Sequence, residues 1–320
     1  MLNEIEMLLA CWGESKTDEN KRISAATCQR RHIAHPCMTG IWATHPLELL
    51  HQDSRSGARR PDQGHARRWQ RVEAQAWRAV AEGQARRDPR REAHGLSVLG
   101  YICIGLGEPD EALGWLERAR DLALQEGDTR GAAISWSGIA DVYYLQGKLR
   151  DALDIRLRRE LPALRQLGAE RDQAVVWGQI ADICSLQGKL RQAVQIRRQR
   201  ELPILERLGD LRSAARTWGQ IADMYYLQGK LDQTIEIYDE QVIPVLTRLR
   251  ASHDLLVRQA YLGVYLWKRN QEHDQGRALY LMRRARIQAS SVGQGTANQI
   301  DGIVRHLGID AAPTHSYAAA

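Results

Sequence analysis

WSGIADVYYLQGKL at residues 136–149, WGQIADICSLQGKL at 177–190 and WGQIADMYYLQGKL at 218–231 are one string written three times. Trp136, Trp177 and Trp218 stand 41 residues apart, as do Gly147, Gly188 and Gly229, and Pro162, Pro203 and Pro244. Three series keeping one period identify an internal repeat, and a period of this length belongs to an array of small structural units. Inside the middle copy Val176, Ile180, Ala181 and Cys184 recur at three and four spacing, which puts them on one face of a helix. Gly188 then offers a helix stop. A second helix is predicted from Leu190, carrying Ala193, Ile196 and Leu202. Gly209-Asp210 supplies the next stop and the N-cap that follows it.

Each unit is therefore expected to be two antiparallel helices joined by a tight turn. Trp136, Ile139, Ala140, Tyr143 and Ala152 resemble the tetratricopeptide pattern, as do Trp177, Ile180, Ala181, Cys184 and Ala193, and Trp218, Ile221, Ala222, Tyr225 and Tyr238. An earlier unit fits without its Trp, through Leu96, Leu99, Gly100, Cys103, Ala112, Leu116 and Ala119. A later one fits through Leu262, Gly263, Leu266, Ala278, Met282 and Ala285, with a longer turn at Asn270 to Gly276. The resemblance covers roughly residues 91–290, about five units. It implies an all-α, right-handed superhelical solenoid of antiparallel helix pairs, in which small residues such as Ala140, Ala181 and Ala222 let helices approach closely. One such unit cannot bury its apolar face alone, so neighbours stack.

The units depart from the family in two ways. They are 41 residues long where 34 is common, and the excess is placed in the second helix and the junction after it. Longer units resemble those of bacterial tetratricopeptide proteins, where they often accompany nucleotide-binding or caspase-like protease domains. Pro162, Pro203 and Pro244 fall inside the second helices, where proline removes an N–H and clashes with the carbonyl four residues earlier. A regular bend is expected there.

Outside the array, residues 1–64 show no repeat and read as a poorly ordered or remnant segment. Residues 65–90 read as a leading amphipathic helix with Trp69, Val72, Ala76, Trp77 and Val80, residues 291–310 as a capping helix, and 311–320 as a disordered tail. MLNEIEMLLACWG lacks the basic front and long apolar run of a signal peptide. No stretch of 18 apolar residues is present, so no membrane span is expected. Five Cys, at 11, 28, 37, 103 and 184, make no disulfide framework and suit reduced thiols in a cytoplasm.

No Walker loop, GxSxG or HExxH occurs, so no enzyme activity, cofactor or metal is expected. Cys28, His32, His35 and Cys37 do not have the paired spacing of a zinc site. Arg59, Arg60, Arg67, Arg68, Arg71, Arg78, Arg86, Arg87, Arg90 and Arg91 form a basic stretch with Trp69 and Trp77 interleaved. Arg with aromatics can grip single-stranded nucleic acid, so a nucleic-acid-binding regulator using residues 55–91 is one alternative. Core Trp and a solvated Arg face is the other reading of that stretch. A net charge of +6 over 320 residues argues for neither. A degenerate remnant of a larger multidomain regulator is a further alternative.

The leading expectation is a scaffold or adaptor that binds a segment of another protein in the concave groove. The resemblance places first helices on the groove, and there Asp141, Asp182 and Asp223 recur at the 41-residue period. Tyr144, Ser185 and Tyr226 follow one helical turn later on the same face, and Arg216 is expected nearby, where it either weakens the preference for a basic segment locally or pairs with Asp223 or Asp182. Carboxylates beside tyrosine suit a basic, extended partner segment. Structural bonding of the Asp residues to neighbouring units is the alternative reading of the same ladder.

Overall fold

The structure, a computed structural model, describes residues 63–305. The segment before residue 63, with Cys28, His32, His35 and Cys37, and the tail after residue 305 lie outside the described residues.

A leading helix α1 (Gln63–Arg86) is followed by helices α2 (Pro89–Leu106), α3 (Pro109–Gln125) and α4 (Thr129–Leu145). Next comes α5 (Leu149–Ile155), which runs into a π turn, π1 (Arg156–Glu160), and on into α6 (Leu161–Gln166). The same sequence of elements recurs as α7 (Glu170–Leu186), α8 (Leu190–Ile196), π2 (Arg197–Glu201) and α9 (Leu202–Arg207). It recurs once more as α10 (Leu211–Leu227), α11 (Leu231–Ile237), π3 (Tyr238–Val242) and α12 (Ile243–Arg248). The described chain ends with α13 (Ser252–Arg269), α14 (Asp274–Val292) and α15 (Gln294–Arg305). It divides into two compact units between Ile196 and Arg197.

The turns follow from the repeated glycines. Gly147, Gly188 and Gly229 have φ of 72°, 76° and 76°, a left-handed conformation that costs a glycine nothing. The next N–H then reaches back to the helix: Lys148 to Tyr143, Lys189 to Cys184 and Lys230 to Tyr225, at 2.8–2.9 Å. These bonds satisfy carbonyls that a helix end leaves open. Asp210 caps α10 by accepting from the Ser213 N–H at 3.1 Å, and Asp128 caps α4 in the same way. The longer turn expected at Asn270 to Gly276 is shorter than that. Asp274 already lies in α14, its carboxylate accepting from the Arg269 guanidinium and the Gln271 N–H.

The prolines do not break their helices. Glu160 and Leu161, just ahead of Pro162, keep right-handed helical angles of −68°, −55° and −58°, −43°. The accommodation is the π turn, in which the Leu161 N–H reaches Arg156, five residues back. A π turn holds one more residue than an α turn. The bulged second helix from Leu149 to Gln166 accordingly keeps its buried residues at four-residue spacing, Ala152, Arg156, Glu160 and Leu164, where the unbulged α3 has Ala112, Leu116, Ala119 and Ala123. The bend expected at each proline is thus a one-residue insertion taken up locally.

Each unit has its own core. In the first, Val72, Ala76 and Val80 of α1 pack with Leu96, Leu99, Leu116, Ala119, Ile139 and Val142. In the second, Ala222, Tyr238, Val242, Leu246, Leu262, Leu266, Met282 and Ala285 are joined by Ile300 and Val304 of α15. Trp77 departs from the core reading: it is 45% exposed and its ring meets Trp115 edge-on at 5.5 Å. It lies one residue, about 100° of helix, off the Val72–Ala76–Val80 stripe. The side chain of Trp69 lies outside the described ones.

Candidate partner-binding face

The repeated Asp positions of the first helices have different surroundings in the two units. Asp141 on α4 is buried, and its Oδ1 accepts from Arg156 Nη2 at 2.5 Å. Arg156 opens π1, and its other nitrogen donates to Glu160 Oε2 at 3.0 Å, the last residue of the same turn. Tyr101 on α2 closes the group, donating to the Ile134 carbonyl at 3.1 Å. Burial pushes the Glu160 carboxyl up to about 7, against the pull of Arg156 and with the help of Asp141. Burial likewise drives the Tyr101 hydroxyl well above its ordinary range, Asp141 and Glu160 adding to it. A charge removed from water needs a partner of this kind. Asp141, one of the ladder residues expected either to meet a partner or to bond structurally, is buried and paired with Arg156. Arg156 and Glu160 stand four apart and share the inward face, and the wide turn between them keeps the later buried residues, Leu161 and Leu164, on that face as well.

The π2 turn repeats the device with Arg197 donating to Glu201 at 2.5 Å, while Thr217 of α10 donates to the other Glu201 oxygen at 2.7 Å. At π3 the arginine and glutamate positions hold Tyr238 and Val242. There the chemistry turns outward. Asp223 Oδ1 accepts from Tyr238 at 2.9 Å and from Tyr265 of α13 at 2.8 Å. Its Oδ2 has Arg258 at 3.5 Å, and the side chain is 37% exposed. Around it Tyr226 and Tyr265 lie 4.9 Å apart and Tyr261 and Tyr265 6.4 Å apart. Lys268 caps the Tyr226 ring at 5.0 Å and donates to its hydroxyl. Burial raises the Tyr261 hydroxyl, Asp223 adding to it.

The structure thus brings Asp223 and Tyr226 together on the α10 surface. Arg216 donates to Asp254 of α13 at 3.0 Å. In the first unit Tyr144, Asp182 and Ser185 are half-buried on α4 and α7. The tyrosines of α13 were missed from sequence because that helix carries Gln259 and Val264 where its predecessors have the repeated Trp and Asp. The spacing of Tyr261 and Tyr265, one helical turn apart, was the signal that could have found them.

Other chemistry is sparse. Cys103 and Cys184 are buried free thiols that burial pushes up to about 11, the wrong direction for a nucleophile or metal ligand. Cys103 lies near Glu108 and Glu111, with their ligand-type atoms within 4.8 Å, and the two carboxylates add to the rise of its thiol. Arg71, Arg78, Arg86, Arg87, Arg90 and Arg91 are exposed, a solvated face. No described helix is long and apolar enough to cross a membrane.

Residues 92–155 match the sequence model of the tetratricopeptide repeat. No curated protein matches the sequence. Among solved structures, the chain is similar to BtubC (BKLC) from P. vanneervenii, at 19% identity and a TM-score of 0.58, over 79% of this chain and 97% of that one. A putative kinesin light chain from Podosopora anserina with nearly identical TPR-like repeats aligns at 18% identity and a TM-score of 0.52, over 63% and 97%. The STAND signal transduction ATPase with a tetratricopeptide repeat sensor from Pyrococcus horikoshii aligns at 14% and 0.58, over 93% of this chain and 51% of that one. The chain spans about half of that ATPase. At these identities the likeness shows the fold alone.

Proposed function

We propose, from the premise that tetratricopeptide repeats build this chain, that it is a protein-interaction scaffold whose first-helix face receives an extended segment of another protein. In the second unit Asp223 and Tyr226 contact that segment at a basic side chain. Tyr144, Asp182 and Ser185 are the corresponding contacts in the first unit. Asp141 holds the fold and makes no contact. The observation that supports the reading is the state of Asp223, a partly exposed carboxylate held by the hydroxyls of the buried Tyr238 and Tyr265, with Arg258 at 3.5 Å from its other oxygen and the half-buried rings of Tyr226 and Tyr261 nearby. A carboxylate already oriented needs no rearrangement to accept a guanidinium. Tyrosine gives large, rigid contact area at small entropic cost. The same chemistry offers no nucleophile, and the chain reads as a binding protein rather than an enzyme.

The test is an array of synthetic extended peptides of graded Arg, Lys and Glu content, titrated into the full chain, Asp223→Asn and Tyr226→Ala. Arg-containing peptides should bind best, and each substitution should weaken them roughly tenfold, since a hydrogen bond to a charged group is worth about 1.5–3 kcal/mol. Equal binding by the parent and both variants, with circular dichroism unchanged, would overturn the assignment of these residues. Binding of oligonucleotides in place of peptides, falling steeply with salt, would replace the reading with the nucleic-acid one.

A further inference from the structure

Helix α14 has a second face that the repeat packing does not use. Ala278, Met282, Ala285 and Ala289 are buried on its inner side. On the outer side Tyr280, Arg283, Arg284 and Ile287 follow at three- and four-residue spacing, with Leu279, half-buried against the core, at their edge, along an open depression of about 540 Å³. Ile287 is 76% exposed and Tyr280 59%, large side chains for water to cover.

The charges on this helix are divided in a telling way. It carries four arginines and, from Gln275 to Ile300, the chain has no acidic residue. Arg277 is answered by Asp239 at 2.9 Å and Arg286 by Asp301 at 2.9 Å. Arg283 and Arg284, beside Ile287, meet no carboxylate among the described residues, although Arg284 donates to the Tyr280 hydroxyl at 3.1 Å. The face therefore combines an apolar stripe with two guanidinium groups whose countercharge the described chain does not supply.

We propose that this face of α14 docks an amphipathic helix of another protein, one whose apolar stripe is flanked by carboxylates. An apolar stripe at helical spacing is matched by ridges of a second helix, which seat between its side chains. Carboxylates one turn apart on that helix reach Arg283 and Arg284 while its apolar side chains cover Leu279 and Ile287. A phosphate backbone would answer the arginines but leave Ile287 in water, so the apolar half of the face favours protein over nucleic acid. This surface belongs to α14, whereas Asp223 and Tyr226 belong to α10, and its partner chemistry is opposite in sign.

The experiment uses the full chain and an 18-residue synthetic helix with leucine along one stripe and glutamate on both flanks, followed by fluorescence anisotropy. A control peptide carries lysine in place of glutamate. The glutamate peptide should bind and the lysine peptide should not. The double variant R283E/R284E should weaken binding roughly tenfold or more, as expected when like charges are brought together. Ile287→Ser should weaken it roughly threefold or more, by removing an apolar contact. All three positions are exposed, so circular dichroism and melting should be unchanged. The proposal is overturned if the glutamate peptide fails to bind at about 1 mM, or if parent and variants bind it alike. It is equally overturned if oligo-uridine binds through the same arginines instead. A dimer in sedimentation that Ile287→Ser dissolves would show that a second copy covers the face, and would overturn it too.

Discussion

Ala181 shows what a single position can demand. It is fully buried, as are Ala140 and Ala222 one period away, and Gly100 stands at the equivalent place in the earlier unit. A Cβ on Gly100 would lie 2.5 Å from Leu116, so the helix crossing there has no spare volume. Ala181→Trp should lower stability by about 1–3 kcal/mol, read as a lower midpoint in thermal or denaturant unfolding; an unchanged midpoint would refute the close-packed assignment. Glu160 makes a residue-scale prediction about pH. Its folded pKa, pushed up to about 7 mainly by burial, exceeds the ordinary 4.5. Between those values the folded state binds more protons than the unfolded one, so this group's contribution falls as pH rises through the window and levels off above it. Asp172, raised to about 6 by burial, acts in the same direction, and His94, lowered by burial and Arg91, acts oppositely. The difference between parent and Glu160→Gln isolates the one group. From pH 5 to 8 the parent should lose several degrees of melting temperature more than the variant, at about 2–4 °C per kcal/mol. Parallel pH curves for the two proteins would show that Glu160 is not the titrating group. The repeated alanines could be read from sequence because packing needs a small residue at a fixed period. The burial of Asp141 could not, because it depends on Arg156 arriving from another helix.

At the scale of the element, the π turns are the feature that distinguishes these units. Buried positions in α3 follow as Ala112, Leu116, Ala119 and Ala123, and in α14 as Ala278, Met282, Ala285 and Ala289. In the helices with a π turn they follow as Ala152, Arg156, Glu160 and Leu164, and as Thr234, Tyr238, Val242 and Leu246. An α-helix turns about 100° per residue, so strict spacing by four walks a stripe about 120° round over three steps. One wide turn restores it to the core. That spacing was present in the sequence, hidden because the inward positions are charged at 156 and 160. A matched pair of deletions tests the account. Removing Arg158, exposed within π1, should convert the π turn to α and keep the downstream residues facing inward, at a cost of a few degrees in melting temperature. Removing Leu153 from α5 should rotate everything up to Arg156 off the core and abolish cooperative unfolding. Equal losses from the two deletions would mean that the turn is not an absorbed insertion.

For the molecule as a whole, the last element carries a disproportionate share of its unit's closure. Ile300 and Val304 of α15 are buried against α13 and α14, and Arg286 pairs with Asp301. A chain ending at Gly293 should expose Leu281, Met282 and Ala289, lose several degrees of melting temperature and associate at micromolar concentration, as arrays without a polar terminal element do. Light scattering and calorimetry check this; a truncated chain that stays monomeric with an unchanged transition would remove α15 from the core. The helix pairs, their period and their turns are legible in the residues alone, because these depend on near neighbours: a left-handed glycine, a cap one turn on, and apolar residues at three and four spacing. Tertiary structure alone decided which polar residues face water. Asp141 and Asp223 share one place in the repeat, yet Arg156 draws the first inside while Tyr238 and Tyr265 hold the second partly exposed. That choice is made by side chains 15 to 42 residues away, and the period of a repeat carries no information about what its neighbours bring to meet it.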